Sequence, residues 1–477
     1  MKSVGLVVFT RDLRVHDNPT LNEALNSCEI VVPVFVFDPS IMNSAHASGN
    51  RIGYLCECLY DLRESLRSRK ADLIIRQGDW LEEVLKISHE TNAESVYWAR
   101  EVSSFGQKRD LELTNELDQH NVEAICINSH TVVDPDAISP ASAKDSREFK
   151  VFTPYYRRWT QVALAPIKDA PKIIPFDEQL LDSDQRGEIP NANEFVDSEV
   201  SPKRETGGET QSRKALNQWV KNDLINYETN HDLLALDKTS HISSALHFGT
   251  LSAHEMVIKL RSKPGSQAFI RQLCWRDFYH QILFHNPHAS WRDYSNRNDR
   301  WNENEEAFEK WCQGQTGYPL IDAAMRQLKQ EGFMHNRARM VVASFLTKDL
   351  YIDWKKGAAW FMKWLTDGDL ANNNLNWQWT AGTGTDTNPN RIFNPIRQSE
   401  RFDPEGIYIK RYVPELKNIS SKDIHFPHHL RDHLDTAHML EDYPLPLVDH
   451  SQAIAQYRFI KEQIKSDKMR ENQPNAK

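Results

Sequence analysis

The chain contains no apolar run long enough to cross a bilayer, which excludes a helical membrane protein. Its opening, MKSVGLVVFTRDLR, loses its apolar character at Arg11 and Asp12, so it reads as a strand and turn rather than a signal peptide. The six cysteines are scattered through 477 residues. Cys56 and Cys58 are close, but nothing nearby completes a zinc spacing. No metal is expected, and free thiols in a reducing cytoplasm are the default. The first apolar run is not followed by G-x-G-x-x-G, so the dinucleotide fingerprint is missing. No repeat recurs at solenoid spacing. An excess of basic charge is missing too. Lys and Arg number 58 against 67 Asp and Glu, a formal net charge of −9. That argues mildly against a nucleic-acid partner, but net charge averages over a surface whose local patches decide binding. Much of the acidity lies in stretches such as 177–209.

What is present divides the chain in two, since a single core is unexpected at this length. Residues 1–128 alternate short β-branched runs (4–9, 30–37, 73–76, 95–98, 124–127) with helical stretches (54–66, 81–90). Continuous apolar runs suit strands buried on both faces. Their alternation with helices predicts a doubly wound parallel α/β sheet. Thr10-Arg11-Asp12-Leu13-Arg14 ends the first strand as a turn stitched by Arg–Asp pairs. Residues 129–205 carry recurrent prolines and acidic filler, which cannot sustain long helices, and form a long linker; YYRRW at 155–159 is the helical exception. From 206 to 477 the pattern is all-α, with helices expected over 207–227, 252–260, 266–285, 305–313, 321–330, 337–348, 360–366 and 457–469.

The second part is organised around 364–386, WLTDGDLANNNLNWQWTAGTGTD. An aromatic-rich helix over 358–367 stops at Gly368, a natural C′ residue. Asn372, Asn373 and Asn374 follow, a residue type that prefers caps and turns to helix. Amides offer donors and an acceptor to the polar edge of a flat heterocycle, and the indoles of Trp377 and Trp379 offer stacking faces. A polar loop over an aromatic core is the plainer alternative.

The run Asp367-Gly368-Asp369-Leu370-Ala371, Asn373-Asn374 and Trp377-Gln378-Trp379, continued by G-T-D and R-I-F-N-P, resembles the flavin-binding signature of the photolyase and cryptochrome family. The likeness extends over nearly the whole chain and is nearest to bacterial class I pyrimidine-dimer photolyases. It implies an antenna domain joined by a linker to a helical FAD-binding domain. T-S-x-I-S-x-x-L-x-x-G, ending at Gly249, resembles the family's pyrophosphate loop. Thr239, Ser240, Ile242 and Ser243 are then expected to hold the pyrophosphate, with Tyr227 on the phosphates. By the same resemblance Phe269, Gln272, Arg276, Phe333, Asn336, Arg339, Asp367, Asp369, Asn372 and Asn373 surround the flavin, with Arg339 paired to Asp367. Asn373 falls opposite flavin N5, where photolyases carry Asn and plant cryptochromes typically Asp.

The resemblance also implies a partner, UV-damaged DNA carrying pyrimidine dimers, and a soluble monomer. Trp275 and Trp379 match residues that pack on the damaged bases, and Arg337, Arg391 and Arg401 are candidates for gripping the strand. Gln272 stands where the dimer enzymes carry Glu; it can donate to a carbonyl but cannot supply a proton, so reduced repair efficiency is expected. The (6-4) enzymes place His at the positions of Asn336 and Met340, and neither is His here. Trp377, Trp354 and Trp301 match the electron-hopping tryptophans, in that order outward. Phe105 and Gly106 replace the Asn-Glu pair that grips a folate antenna, so the antenna resembles the deazaflavin or flavin type more than the folate type. The implied activity is blue-light-driven dimer splitting. The alternative, a cryptochrome-type photoreceptor without repair, is supported by Gln272 and the acidic charge.

Overall fold

The structure, a computed structural model, describes residues 2–141, 147–195, 199–433 and 435–471. Parts of the expected linker, 142–146 and 196–198, lie outside the described residues. The chain divides into two compact units. One comprises Met1–Glu228, Thr239–Ser290 and Leu365–Asn372; the other Thr229–Lys238, Trp291–Trp364 and Asn373–Lys477.

The first unit contains a five-stranded parallel sheet in the order β3-β2-β1-β4-β5. The strands are β1 (Lys2–Val8), β2 (Cys28–Phe37), β3 (Ile74–Gln77), β4 (Ser95–Ala99) and β5 (Glu123–Ile127). Each falls within two residues of the β-branched run that announces it. β1 pairs β2 with Val4 opposite Ile30, and pairs β4 with Gly5 opposite Ser95. Leu6, Val7, Val8, Val96 and Trp98 are wholly buried, as central strands covered on both faces must be. The Gly49–Arg67 helix covers one face through Leu59, Leu62 and Leu66. The Trp80–Glu90 helix covers the other through Trp80, Val84 and Ile87. The strand order reverses beside β1, which makes the carboxyl ends of β1 and β4 a topological switch point, where open α/β sheets hold polar groups and ligands.

Among the described residues no strand follows β5. Helices Ser266–His285 and Glu305–Gln313 match their expected bounds. The helix expected over 337–348 instead runs Asn336–Ser344 and widens into a π turn, Phe345–Asp349. The helix expected at 360 begins at Trp354 and ends at Trp364, so Gly368 is not its C′ residue. Gly368 is not among the glycines of positive φ either. Its small size has another cause: a Cβ there would lie 2.6 Å from Arg51 Nη1. Further, a helix, Leu370–Ala381, runs through all three asparagines. The Asp369 carboxylate starts it by accepting from Asn372 N at 2.9 Å, as an N-cap does. Inside the second unit, Asn373 Nδ2 donates to Ala358 O at 3.1 Å. These contacts outweigh a propensity cost of a few tenths of a kcal/mol per asparagine.

Candidate functional site

In the first unit the chain after β1 is stitched locally by Asp12, which accepts from Thr10 N at 3.1 Å, but Arg11 does not join that turn as the Arg–Asp reading expects. Arg11 reaches across the switch point to Glu101, just beyond β4, with Nε–Oε1 2.9 Å and Nη2–Oε2 2.7 Å. Its Nη1 donates to Asp369 Oδ2 at 2.7 Å. Arg14 is buried and donates to the carbonyls of Asp17, Ser129 and Gly249. Gly249 closes the T-S-x-I-S motif for a physical reason: its φ is +66°, and a Cβ would lie 1.8 Å from the Arg11 carbonyl oxygen.

Asp369 is the hub. Besides Arg11, its Oδ2 faces His280 Nε2 at 3.5 Å and His247 Nδ1 at 3.9 Å, while Oδ1 accepts from Asn372 Nδ2 at 2.7 Å. Burial alone would push its pKa up; His280, His247 and Arg11 outweigh this and hold it well below the usual carboxylate range. Glu101 behaves alike, with burial opposed by Arg11 and His130. Burial lowers His247 and His130, against the pull of their carboxylates. The outcome is a charge-paired cluster around Asp369, which holds Asn372.

Of the remaining predicted residues in this unit, Thr239 places a buried hydroxyl that meets no hydrogen-bond partner among the described residues. Ser240 and Ile242 lead into the short helix Ser243–His247, whose start has no side-chain cap. His241, between them, has φ +51°. An orphaned hydroxyl beside an uncapped helix start suits an anion such as a pyrophosphate. Tyr227 and Phe269 pack edge-to-face, their ring centroids 5.6 Å apart, against Trp219. Arg276 is largely buried and donates to the carbonyls of His130 and Leu246. Gln272 is exposed. Trp275 stacks on Phe152 at 3.6 Å with the planes 3° apart. Asp367 lies near Arg51, whose pKa is lowered to about 10, chiefly by burial and against the pull of Asp367.

In the second unit, Asn373 is buried and donates to Asn374 Oδ1 at 2.8 Å. Asn336 is exposed at a helix start, its amide 3.9 Å from Met340 Sδ. Arg339 donates to Met334 O at 2.7 Å and lies over Phe333. Arg337 is doubly bound to Asp232 (2.6 and 3.2 Å) and lies over Phe402. Arg391 pairs with Asp386 and lies over Trp379, 5.2 Å from the ring centroid. Arg401 is exposed over Phe402. Trp377 and Trp354 are buried, and Trp301 is partly so, beside Tyr351. Trp354 Nε1 donates to Asp293 Oδ1 at 2.8 Å.

Sequence reasoning missed Glu101, His247, His280, Asp232 and Asp293. Each acts only as partner to a residue far away in the chain, and no local pattern marks it. It also missed Lys348, whose buried ammonium holds Ala381 O at the end of the asparagine helix and Tyr457 Oη; burial pushes its pKa down to about 7.

Gly357 supplies a stability test. A Cβ there would lie 2.2 Å from Trp377 Cη2 and 2.6 Å from Leu346 Cδ2. Gly357→Ala gains up to about 1 kcal/mol of helix propensity, but overpacking costs about 1–3 kcal/mol. The variant is expected to melt several degrees lower by circular dichroism; an unchanged or higher melting temperature contradicts the contact.

Residues 5–172 match the DNA photolyase family, and residues 269–462 match the FAD binding domain of DNA photolyase. A deoxyribodipyrimidine photo-lyase of Streptomyces griseus is 44% identical over 462 residues, covering 95% of this chain and 98% of that protein. Among solved structures, a class III photolyase from Agrobacterium tumefaciens superposes with TM-score 0.87 at 30% identity, covering 98% of both chains. A cryptochrome from Synechocystis superposes with TM-score 0.87 at 30% identity, covering 96% of this chain and 99% of that one. Among the described residues, no helix is long and apolar enough to cross a membrane.

Proposed function

This chain belongs to the photolyase and cryptochrome family, and from that premise we propose that it is a light-driven DNA repair enzyme, a deoxyribodipyrimidine photo-lyase that splits cyclobutane pyrimidine dimers. The observation that carries the reading is the 44% identity, over nearly the full length of both chains, to a protein of that name. FAD, when bound in its reduced form and excited by blue light, supplies the electron that opens the dimer ring. The chain's own residues do the rest. Thr239 gives its partnerless hydroxyl, with Ser240, Ile242, Ser243 and Tyr227, to the pyrophosphate. Asp369 and Asn372 present a fixed acceptor and amide to the flavin edge. Asn373, immobilised by Ala358 O and Asn374, would stand beside N5 of a bound flavin. Phe269, Arg276, Phe333, Arg339 and Asp367 complete the surround.

A dimer inside a duplex is out of reach and must be flipped out, which its weakened pairing and stacking make cheaper. Trp275 and Trp379 take the exposed bases on their ring faces. Gln272, exposed beside Trp275, donates to a base carbonyl, and Asn336 and Met340 meet the lesion. Arg337, Arg391 and Arg401 hold phosphates. Arg337 is already bound by Asp232, so its phosphate must share that guanidinium. The antenna is of deazaflavin or flavin type. The boundaries 1–128, 129–205 and 206–477 describe antenna domain, linker and catalytic domain. The enzyme acts as a monomer in the cytoplasm; its six free thiols suit that reducing compartment.

A second reading is a photoreceptor without repair. Gln272 and the likeness to a cryptochrome structure favour it. Illuminating the reduced protein with dimer-containing oligonucleotide separates the two. Recovery of thymine absorbance is expected, and light-dependent spectral change of the protein with no recovery points to the photoreceptor.

A further inference from the structure

Arginines in the first unit are generally engaged: Arg63 by Asp72, Arg76 by Glu90, Arg204 by Glu57, Arg213 by Glu255. Arg271 and Arg157 are different, as is Arg158 on the flank beyond Tyr155. All three are exposed, and among the described residues none of these guanidiniums has a hydrogen bond or an ion pair. Arg271 lies instead over two rings of the Phe152–Trp159 helix, 5.1 Å from the Phe152 centroid and 5.3 Å from that of Tyr156. Those rings stack on each other at 5.7 Å. Phe152 is also the ring that backs Trp275. A cation held by ring faces is oriented but not neutralised, and all its N–H donors stay free for an anion.

Arg157 follows Tyr156 on the same helix and is exposed. On a 3.6-residue turn it follows Tyr156 on the flank away from Tyr155, while Arg158 falls on the opposite flank, beyond Tyr155. The nearby carboxylates do not compete. Asp277 is buried and engaged by the N–H groups of Val132, Val133 and Trp159, and Glu148 is largely buried beside Lys150. A chain of net charge −9 thus keeps two uncompensated cations on an aromatic ledge continuous with Trp275.

We propose that this ledge binds the sugar–phosphate backbone of the damaged strand beside the lesion, with Arg271 and Arg157 each on one phosphate and Tyr156 against the intervening sugar. This rests on the reading that Trp275 meets the damaged bases, and it adds contacts that the family resemblance did not assign. Phe152 is the positioning residue, locking the Trp275 plane and the Arg271 cation into one stack.

The test is the salt dependence of binding between about 50 and 200 mM, measured on the full chain with FAD bound and a dimer-containing duplex oligonucleotide. Each lost phosphate contact lowers the slope of log K against log salt by about 0.9. The double variant Arg157→Gln, Arg271→Gln is therefore expected to lose about 1.8 from the slope. Arg271→Lys keeps the charge and should keep the slope, which separates charge from packing, and Arg158→Gln should match wild type. Wild-type slope in the double variant, while wild type binds and repairs, overturns the ledge and leaves the enzyme reading standing. An equal fall in slope for Arg158→Gln, or a fall for Arg271→Lys, also overturns it. Wild-type protein that neither binds nor repairs dimer DNA overturns the enzyme reading itself.

Discussion

Arg11→Met is expected to destabilise the folded chain by about 3–5 kcal/mol in chemical denaturation, the range for breaking a buried ion pair from one side. Arg11 is the shared cation of two carboxylates, Glu101 and Asp369, whose side chains are 10% and 9% exposed. Removing it leaves both charges in place without the guanidinium that offsets their desolvation. Lys at this position should restore only part of the loss, since one ammonium cannot reproduce the fork that meets Glu101 twice and Asp369 once. Purified Arg11→Met should also carry less bound flavin, because Asp369 orients Asn372. A variant within about 1 kcal/mol of wild type would contradict the arrangement.

The pH dependence gives the same prediction a second readout. Glu101 and Asp369 titrate below the usual carboxylate range in the folded state. The unfolded chain therefore takes up protons first as pH falls through about 4. The stability these groups contribute is complete above that value and is lost below it. Histidines 130 and 247, lowered mainly by burial, follow the same sign at higher pH: stability falls as pH drops below about 6.5. Without Arg11 the carboxylates lose much of their depression. The stability gap between wild type and Arg11→Met should therefore narrow as pH falls through about 4, and a gap that widens would exclude the assigned role.

How far such features can be read from sequence depends on how local their causes are. β1 to β5 were legible because burial on both faces writes an uninterrupted β-branched run, and Ser266–His285 because its helical pattern is carried by its own residues. The Leu370–Ala381 helix was not. Asn372, Asn373 and Asn374 argue for turns, and the forces that override them, Asp369 at the helix start and Ala358 O, lie outside any propensity window. Arg11 looked like half of a local Arg–Asp turn, yet its partners lie 90 and 358 residues further along the chain. The flavin residues became nameable through a long motif of rare residues. Their supports, His247, His280 and Glu101, follow no motif and are fixed only by the fold. Arg337 shows the same limit, since its role in gripping DNA was suggested by resemblance, while Asp232 emerges only from the coordinates.

Trp354→Phe is expected to slow the light-driven reduction of oxidised flavin by an external thiol at least ten-fold, while dimer splitting by chemically pre-reduced protein keeps its rate. The second unit supplies the reason. The edge of the Trp377 ring lies against Gly357, three residues beyond Trp354 on the same helix and so on nearly the same face. Next outward, Trp301 and Tyr351 have ring centroids 5.0 Å apart, and Asn302 N donates to Tyr351 O at 2.8 Å, which fixes Trp301 beside the chain that leads into Trp354. Trp354 is wholly buried, and its indole N–H is bound to Asp293. If Trp354 relays electrons as the family resemblance implies, its oxidised indole gains acidity and positive charge, the Asp293 carboxylate stabilises both, and the electron vacancy is drawn outward from Trp377. Phe at 354 preserves the packing but is far harder to oxidise, which breaks the relay at its middle. Asp293→Asn should slow the same reduction less severely, since it keeps an acceptor and loses the charge. The measurement is the bleaching of the flavin's blue band under steady light, with repair of pre-reduced protein assayed in parallel. If Trp354→Phe bleaches at the wild-type rate, electrons enter by another route, for which Trp311, 6.0 Å from Trp377 between centroids and wholly buried, is the next ring to replace.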